Sequence, residues 1–205
     1  MPWVASASVR PGISCAPQHG RRTREFDRVV PRRAGRTVAR TVRPDEVQPT
    51  LKAVSAAISG MVAASEQVVT RVLAKNPESF WVFVRDGQLL GCSALLMLNT
   101  AGLAALLADE MDILDPATGF LTPAGERPAA IYIWALASPG YAADGIAKVI
   151  MRLQAPPYDR SDIYASPATE QGLRFLRSLG FEPIPGHPRN LFQYVRLANR
   201  TPGEV

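Results

Sequence analysis

The chain has 205 residues, 47% apolar and 20% charged, enough to bury one good core and more consistent with one domain than two. It has no apolar run of the roughly 18–20 residues a membrane span needs, and its two cysteines, Cys15 and Cys92, lie too far apart in character to read as a disulfide framework. Two histidines and two cysteines also leave few soft ligands, so no transition-metal site is expected.

The net charge of +5 is unevenly spread. Residues 1–44 hold ten arginines against Glu25 and Asp27, a net +8, which leaves −3 on the remaining 161 residues. Residues 1–36 are rich in Arg, Pro, Ser and Gly and carry no apolar period, so they read as a disordered basic tail. Clustered arginines would be the one place for nucleic acid to bind, and an Arg-rich start also resembles a transit peptide. Pro2, Pro11, Pro17 and Pro31 interrupt any amphipathic helix there, and a leader without function is the plainest reading.

From Thr37 a domain is expected to run to residue 205. Thr37–Val42 alternates as a first strand, stopped by Arg43-Pro44. Asp45 can cap a helix whose stripe is Val47, Leu51, Val54, Ala57, Ile58 and Met61. Ser65 opens a second helix through Val68, Val69, Val72 and Leu73, ending at Asn76-Pro77. Phe80–Val84 and Leu89–Leu98 read as strands joined by an Asp86-Gly87 hairpin turn. Between Asn99 and Ala130 lie a short helix (Leu103–Leu107), the carboxylates Asp109, Glu110, Asp112 and Asp115, and a Pro/Gly-rich loop. The acids would suit a cationic substrate or form a solvated face.

The most informative stretch is Ile131–Phe181. Ile131–Ala137 is a continuous apolar run with the length of a buried strand, and Ser138–Ala147 breaks it at Pro139-Gly140 and opens a helix. A turn feeding a helix N-terminus aims unpaired N–H groups and the positive dipole end at one point, where a phosphate is held well. A helix over Asp144–Gln154, a strand over Asp162–Ala165 and a helix over Ala168–Leu179 follow, closed by Leu179-Gly180-Phe181.

This order and spacing resembles the acyl-CoA-binding half of the GNAT superfamily of N-acetyltransferases. The family's phosphate-loop pattern, Gln/Arg-x-x-Gly-x-Gly/Ala, falls on Ala142–Ala147, matching at Gly145 and Ala147 but not at Ala142. Its second hallmark, a helix that starts near an Asn and ends Phe-Tyr-x-x-Leu-Gly-Phe, falls on Phe175–Phe181, with Leu176 in the Tyr place and Thr169 in the Asn place. The resemblance implies an α/β domain with a mixed, mostly antiparallel, splayed sheet flanked by helices. It also implies transfer of an acetyl or other acyl group from acyl-CoA to an amine on a small molecule or peptide, with no metal, in the cytoplasm.

By position, the resemblance assigns the backbone of Ala135 and Ala137 to the pantetheine arm and thioester. It assigns Ala142, Ala143, Gly145, Ile146, Ala147 and Thr169 to the rest of the cofactor. The family's usual acid and base are missing, since Leu176 and Ile131 stand in their places. Tyr164, on the next strand with Ser166 behind it, is the nearest replacement proton donor. A silent member that binds acyl-CoA or a protein partner is the alternative, and a homodimer is open. Tyr132 and Trp134 share a strand face and could line an aromatic pocket, while His187 between Gly186 and Pro188 reads as a turn.

Overall fold

The computed structural model describes residues 35–57, 64–138 and 143–199. The basic tail up to residue 34, the expected stripe residues Ile58 and Met61, and Pro139–Ala142 of the proposed phosphate loop lie outside the described residues.

Seven strands form one sheet: β1 (Val38–Thr41), β2 (Phe80–Arg85), β3 (Gln88–Leu98), β4 (Ala130–Ala137), β5 (Asp162–Ala165), β6 (Glu182–Pro183) and β7 (Phe192–Tyr194). Their spatial order is β1-β2-β3-β4-β5-β7-β6. Only β4 and β5 run parallel, as a strand–helix–strand crossover requires, and the other pairs are antiparallel. The β2–β3 hairpin turns on Asp86 (φ 50°) and Gly87 (φ 77°), the two left-handed residues that a tight two-residue loop needs.

Among the described residues five α-helices cover the two faces: α1 (Val47–Ala57), α2 (Glu66–Lys75), α3 (Thr100–Leu107), α4 (Ala143–Leu153) and α5 (Glu170–Ser178). The apolar stripes of α1, α2 and α3 (Val47, Val54, Val68, Val69, Val72, Ala105, Leu106) meet Val82, Ala94, Leu96, Leu98, Tyr132 and Tyr164 on one side of the sheet. Val149 and Leu153 of α4 and Leu176 of α5 meet Phe83, Leu95, Met97, Ile131, Ile163 and Ala165 on the other. Each fully buried side chain of this size contributes about 1.5–3 kcal/mol.

Local chemistry sets the helix ends. The Asp45 cap expected from sequence gives way to a 3-10 turn over Pro44–Glu46. Glu46 reaches back to accept from the Arg43 backbone N–H at 3.0 Å and pairs with Arg40 of β1 (Nη1–Oε2 2.6 Å). That arginine holds the Glu46 carboxyl down at about 2. Ser65 caps α2 through the Val68 N–H (3.3 Å), and Asn99 caps α3 through the Gly102 N–H (2.9 Å). Leu179-Gly180-Phe181 is a helix stop: Gly180 takes φ +84°, its N–H bonds to Arg177 O (3.0 Å), and the Phe181 N–H bonds to Leu176 O (3.1 Å). This double bond is a Schellman arrangement, with buried Phe181 and Leu176 in one apolar cluster.

The long segment before β4 is packed rather than loose. Helix α3 is three residues longer than expected, Leu121 bridges to Leu98, and the Thr122 N–H bonds to Met97 O at 2.7 Å. The crossover helix α4 is clamped at its far end. Buried Arg196 donates to Leu153 O (2.8 Å) and Ser161 O (3.1 Å), and Arg152 pairs with Glu78 (2.8 Å). Among the described residues no helix is long and apolar enough to cross a membrane.

Candidate functional site

The site begins with a change of partner along β4. Its first four residues pair with β5, Ala130 with Asp162 through Ile133 with Ala165. Beyond Ile133 the strands part, and Trp134–Ala137 has no strand partner on that edge among the described residues. On the other edge β3 stays paired, but Ala94 opposes Ala135 while Leu95 opposes Ile133, so Trp134 is an extra, bulged residue. The bulge puts Trp134 and Ala135 on the α1–α2 side of the sheet, with Ile133 and Leu136 on the other side.

This arrangement brings Ala135 and Ala137 to a notch with open backbone groups, and the chain from β4 leads within a few residues to the start of α4. Of the residues expected to hold a phosphate, Ala142 lies outside the described ones. Ala143 opens α4, followed by buried Gly145, half-buried Ile146 and exposed Ala147. Asp144 is exposed, as suits a carboxylate kept from an anion. Gly145 also has a packing role: a Cβ there would stand 2.6 Å from the Phe83 ring. Thr169 spends its hydroxyl on the α5 cap, accepting from the Gly172 N–H at 3.0 Å.

Tyr164 is 4% exposed on β5, in register with Tyr132. Burial, and then the charge of Asp162, push its phenol up to about 12. It therefore stays protonated across the neutral range. Leu176 and Ile131, in the places of the usual acid and base, are both fully buried in the apolar layer beneath α4 and α5.

Two groups went unnoticed as a pair in the sequence. Tyr132 Oη and Ser166 Oγ are both fully buried near neighbours across the point where β4 and β5 diverge, with no hydrogen-bond partner other than each other. Burial raises the Tyr132 phenol, and Ser166 and the Arg189 guanidinium pull it the other way. Their proximity follows only from the parallel register, which places Ser166 one step past Ala165 on the Tyr132 face.

Behind Trp134 and Ala135 lies an apolar cavity of about 30 Å³, walled by Leu51 and Val54 of α1, Val69 of α2, Phe80 of β2 and Ala94 of β3. Cys92 also lines it. Full burial drives its thiol up to about 12, against a weaker downward pull from the Ala137 backbone, so it is not a nucleophile. The acidic segment does not face this cavity with free charge. Asp109 pairs with Arg189, Asp115 with Arg71, and Asp112 accepts from the Leu114 N–H at 2.9 Å. Those partners account for three of the four carboxylates within the chain, and the cationic-substrate reading loses its support. No cluster of His, Cys, Asp or Glu able to hold a metal occurs among the described residues.

No protein-family model matches the chain, and no curated protein matches it in sequence. Solved structures do resemble it. The loading GNATL domain of CurA from Lyngbya majuscula superposes with a TM-score of 0.54 at 11% identity, covering 78% of this chain and 98% of that one. The GphF GNAT-like decarboxylase in complex with isobutyryl-CoA (TM-score 0.49, 14% identity, 70% of this chain and 72% of that one) is also similar. So is Arabidopsis thaliana Naa50 in complex with a CoA-Ac-MVNAL bisubstrate analogue (0.47, 14%, 77% and 95%). At these identities the likeness is one of architecture. With its mixed seven-stranded sheet parting beside β4 and its flanking helices, this chain has the GNAT fold.

Proposed function

We propose that this protein transfers an acyl group directly from an acyl-CoA to an amine acceptor, a small molecule or a peptide. The observation that carries the reading is the edge of β4 from Trp134 to Ala137, left without a strand partner among the described residues, with the N-terminus of α4 the next described element in the chain. Backbone groups on that edge would pair with the pantetheine amides and polarise the thioester carbonyl, the part played here by Ala135 and Ala137. The first turn of α4, with Ala143, Gly145, Ile146 and Ala147, and Ala142 next before it in sequence, would hold the diphosphate through unpaired N–H groups. Thr169, at the start of α5, would bound the cofactor site on the far side. The bound thioester sits where an amine can attack its carbonyl carbon, and Tyr164 would hydrogen-bond the departing sulfur. Holding both reactants in place supplies several kcal/mol without a side-chain base.

A second reading, a silent module that binds acyl-CoA or a protein partner, draws on the burial of Leu176 and Ile131, which removes both usual side-chain catalysts. Calorimetric titration with CoA and acetyl-CoA tests the shared premise. Release of free thiol in the presence of an amine panel then separates the two. Binding with transfer supports the enzyme, binding without transfer supports the acyl-CoA module, and no binding discards both of these and leaves only the protein-partner form.

A further inference from the structure

The reading above leaves the acyl group open, and the cavity behind the bulge bears on it. A CoA whose diphosphate sits at the start of α4 approaches from the side of the sheet where α4 packs. Its arm must pass through the notch beside β4 to place the thioester at Ala135. Whatever the sulfur carries then emerges on the opposite side, because the bulge turns both Trp134 and Ala135 toward α1 and α2. The cavity lies there, with Ala135 in its wall.

Its lining is chemically uniform. Leu51, Val54, Val69, Phe80 and Ala94 offer only hydrocarbon. Trp134 spends its one polar atom on Ile113 O, at 2.6 Å. Cys92 is a buried, protonated thiol, a weak partner for any polar group. Among the described residues no side chain of the wall can accept from an ammonium group or pair with a carboxylate, so an amine acceptor or an acidic acyl tail would find no partner on them. A space of about 30 Å³ is about the share of one water in the liquid, and the described lining has no polar partners to keep water in place.

We propose that this cavity seats the terminal methyl of the transferred acyl group, and that the preferred donor is an acyl-CoA of about three carbons, propionyl-CoA, rather than acetyl-CoA. The inference rests on the acyl-CoA reading of the notch. The amine therefore arrives from another direction and never enters the cavity. Small residues face each other where the chain passes, since Ala94 is directly opposite Ala135 in the β3–β4 register.

The test is calorimetry on the full chain with CoA, acetyl-CoA, propionyl-CoA and octanoyl-CoA. A buried methylene should tighten binding about fourfold, so propionyl-CoA should bind about fourfold tighter than acetyl-CoA, with no further gain at octanoyl. Ala94→Leu, which fills the cavity, should reduce the propionyl-to-acetyl ratio to near one. Val54→Ala, which enlarges the cavity and removes only two methyl groups, should move the optimum to longer chains and keeps the question answerable if Ala94→Leu does not fold. If none of the four ligands binds, the acyl-CoA reading itself fails. Binding of all four with equal affinity overturns the proposal while leaving that reading in place. A propionyl preference unchanged in both folded variants overturns it too, because the chain would then sit elsewhere.

Discussion

Gly145 lies against Phe83: a Cβ on the glycine would stand 2.6 Å from two carbons of the ring. The contact joins the first turn of α4 to β2, two strands away from β4 in the sheet. Glycine at this position is therefore required for packing whether or not a ligand approaches the helix.

Gly145→Ala should accordingly destabilise the fold by about 1–3 kcal/mol through overpacking, outweighing the gain in helix propensity. Chemical denaturation would read it. In the double variant Gly145→Ala/Phe83→Leu the total loss should be smaller than the sum of the single losses, since the smaller side chain makes room. Strict additivity would mean the helix start moves away from the ring at no cost.

Cys92 gives an alkaline prediction. Its thiol is raised from about 9 to about 12 in the fold, so the neutral form is favoured there more than in the unfolded chain. The stabilisation is complete below about pH 9 and is lost as pH rises from there toward 12. Melting temperature should fall across that window, and the fall should be shallower in Cys92→Ala. Native protein treated with iodoacetamide at pH 8 should leave Cys92 unlabelled by peptide mapping, with labelling appearing only on unfolding.

Tyr164→Phe should lower acyl transfer on the order of 10²-fold with CoA affinity nearly unchanged, because only a hydroxyl is removed. With the phenol at about 12, the wild-type to variant rate ratio should be flat between pH 6 and pH 9. A ratio that changes across this range would mean that a group titrating between pH 6 and pH 9 carries the proton instead.

The domain boundary can be tested at single-residue resolution. Thr37 is fully buried and its hydroxyl accepts from Arg85 at 2.7 Å, whereas the chain before it is the basic tail. Deleting residues 1–34 should leave the melting temperature within about 2 °C of the full chain, consistent with a change of at most ~0.5 kcal/mol. Extending the deletion through Thr37 should lower it further by several degrees, as a buried hydrogen bond of about 1 kcal/mol is lost.

Much of the architecture could be read from local patterns. The Ile131–Ala137 strand, the Asp86-Gly87 turn, the Ser65 cap and the Leu179-Gly180-Phe181 stop are each set by neighbours in sequence, and each stands where the pattern placed it. The start of α1 differs because Glu46, not Asp45, satisfies the backbone there, a choice made by Arg40 on a different element. The acidic segment was ambiguous for the same reason: its partners Arg71 and Arg189 lie far off in sequence. The pairing of Tyr132 with Ser166, the contact of Gly145 with Phe83 and the cavity at Trp134 all depend on sheet register, which no single-segment period encodes.

The extra residue at Trp134 has a consequence for any alteration of this strand. Side chains along a strand alternate, so one inserted position reverses the parity of everything after it unless two neighbours share a side. Removing Trp134, the residue between Ile133 and Ala135, would straighten β4 yet leave Leu136 and Ala137 on the sides they now face, since Ala135 already shares the side of Trp134. What the deletion would cost is the Trp134 indole, which bonds Ile113 O and walls the cavity. The bulge is thus a place where the strand can lose a residue and keep its two faces, while losing the anchor that the extra residue carries.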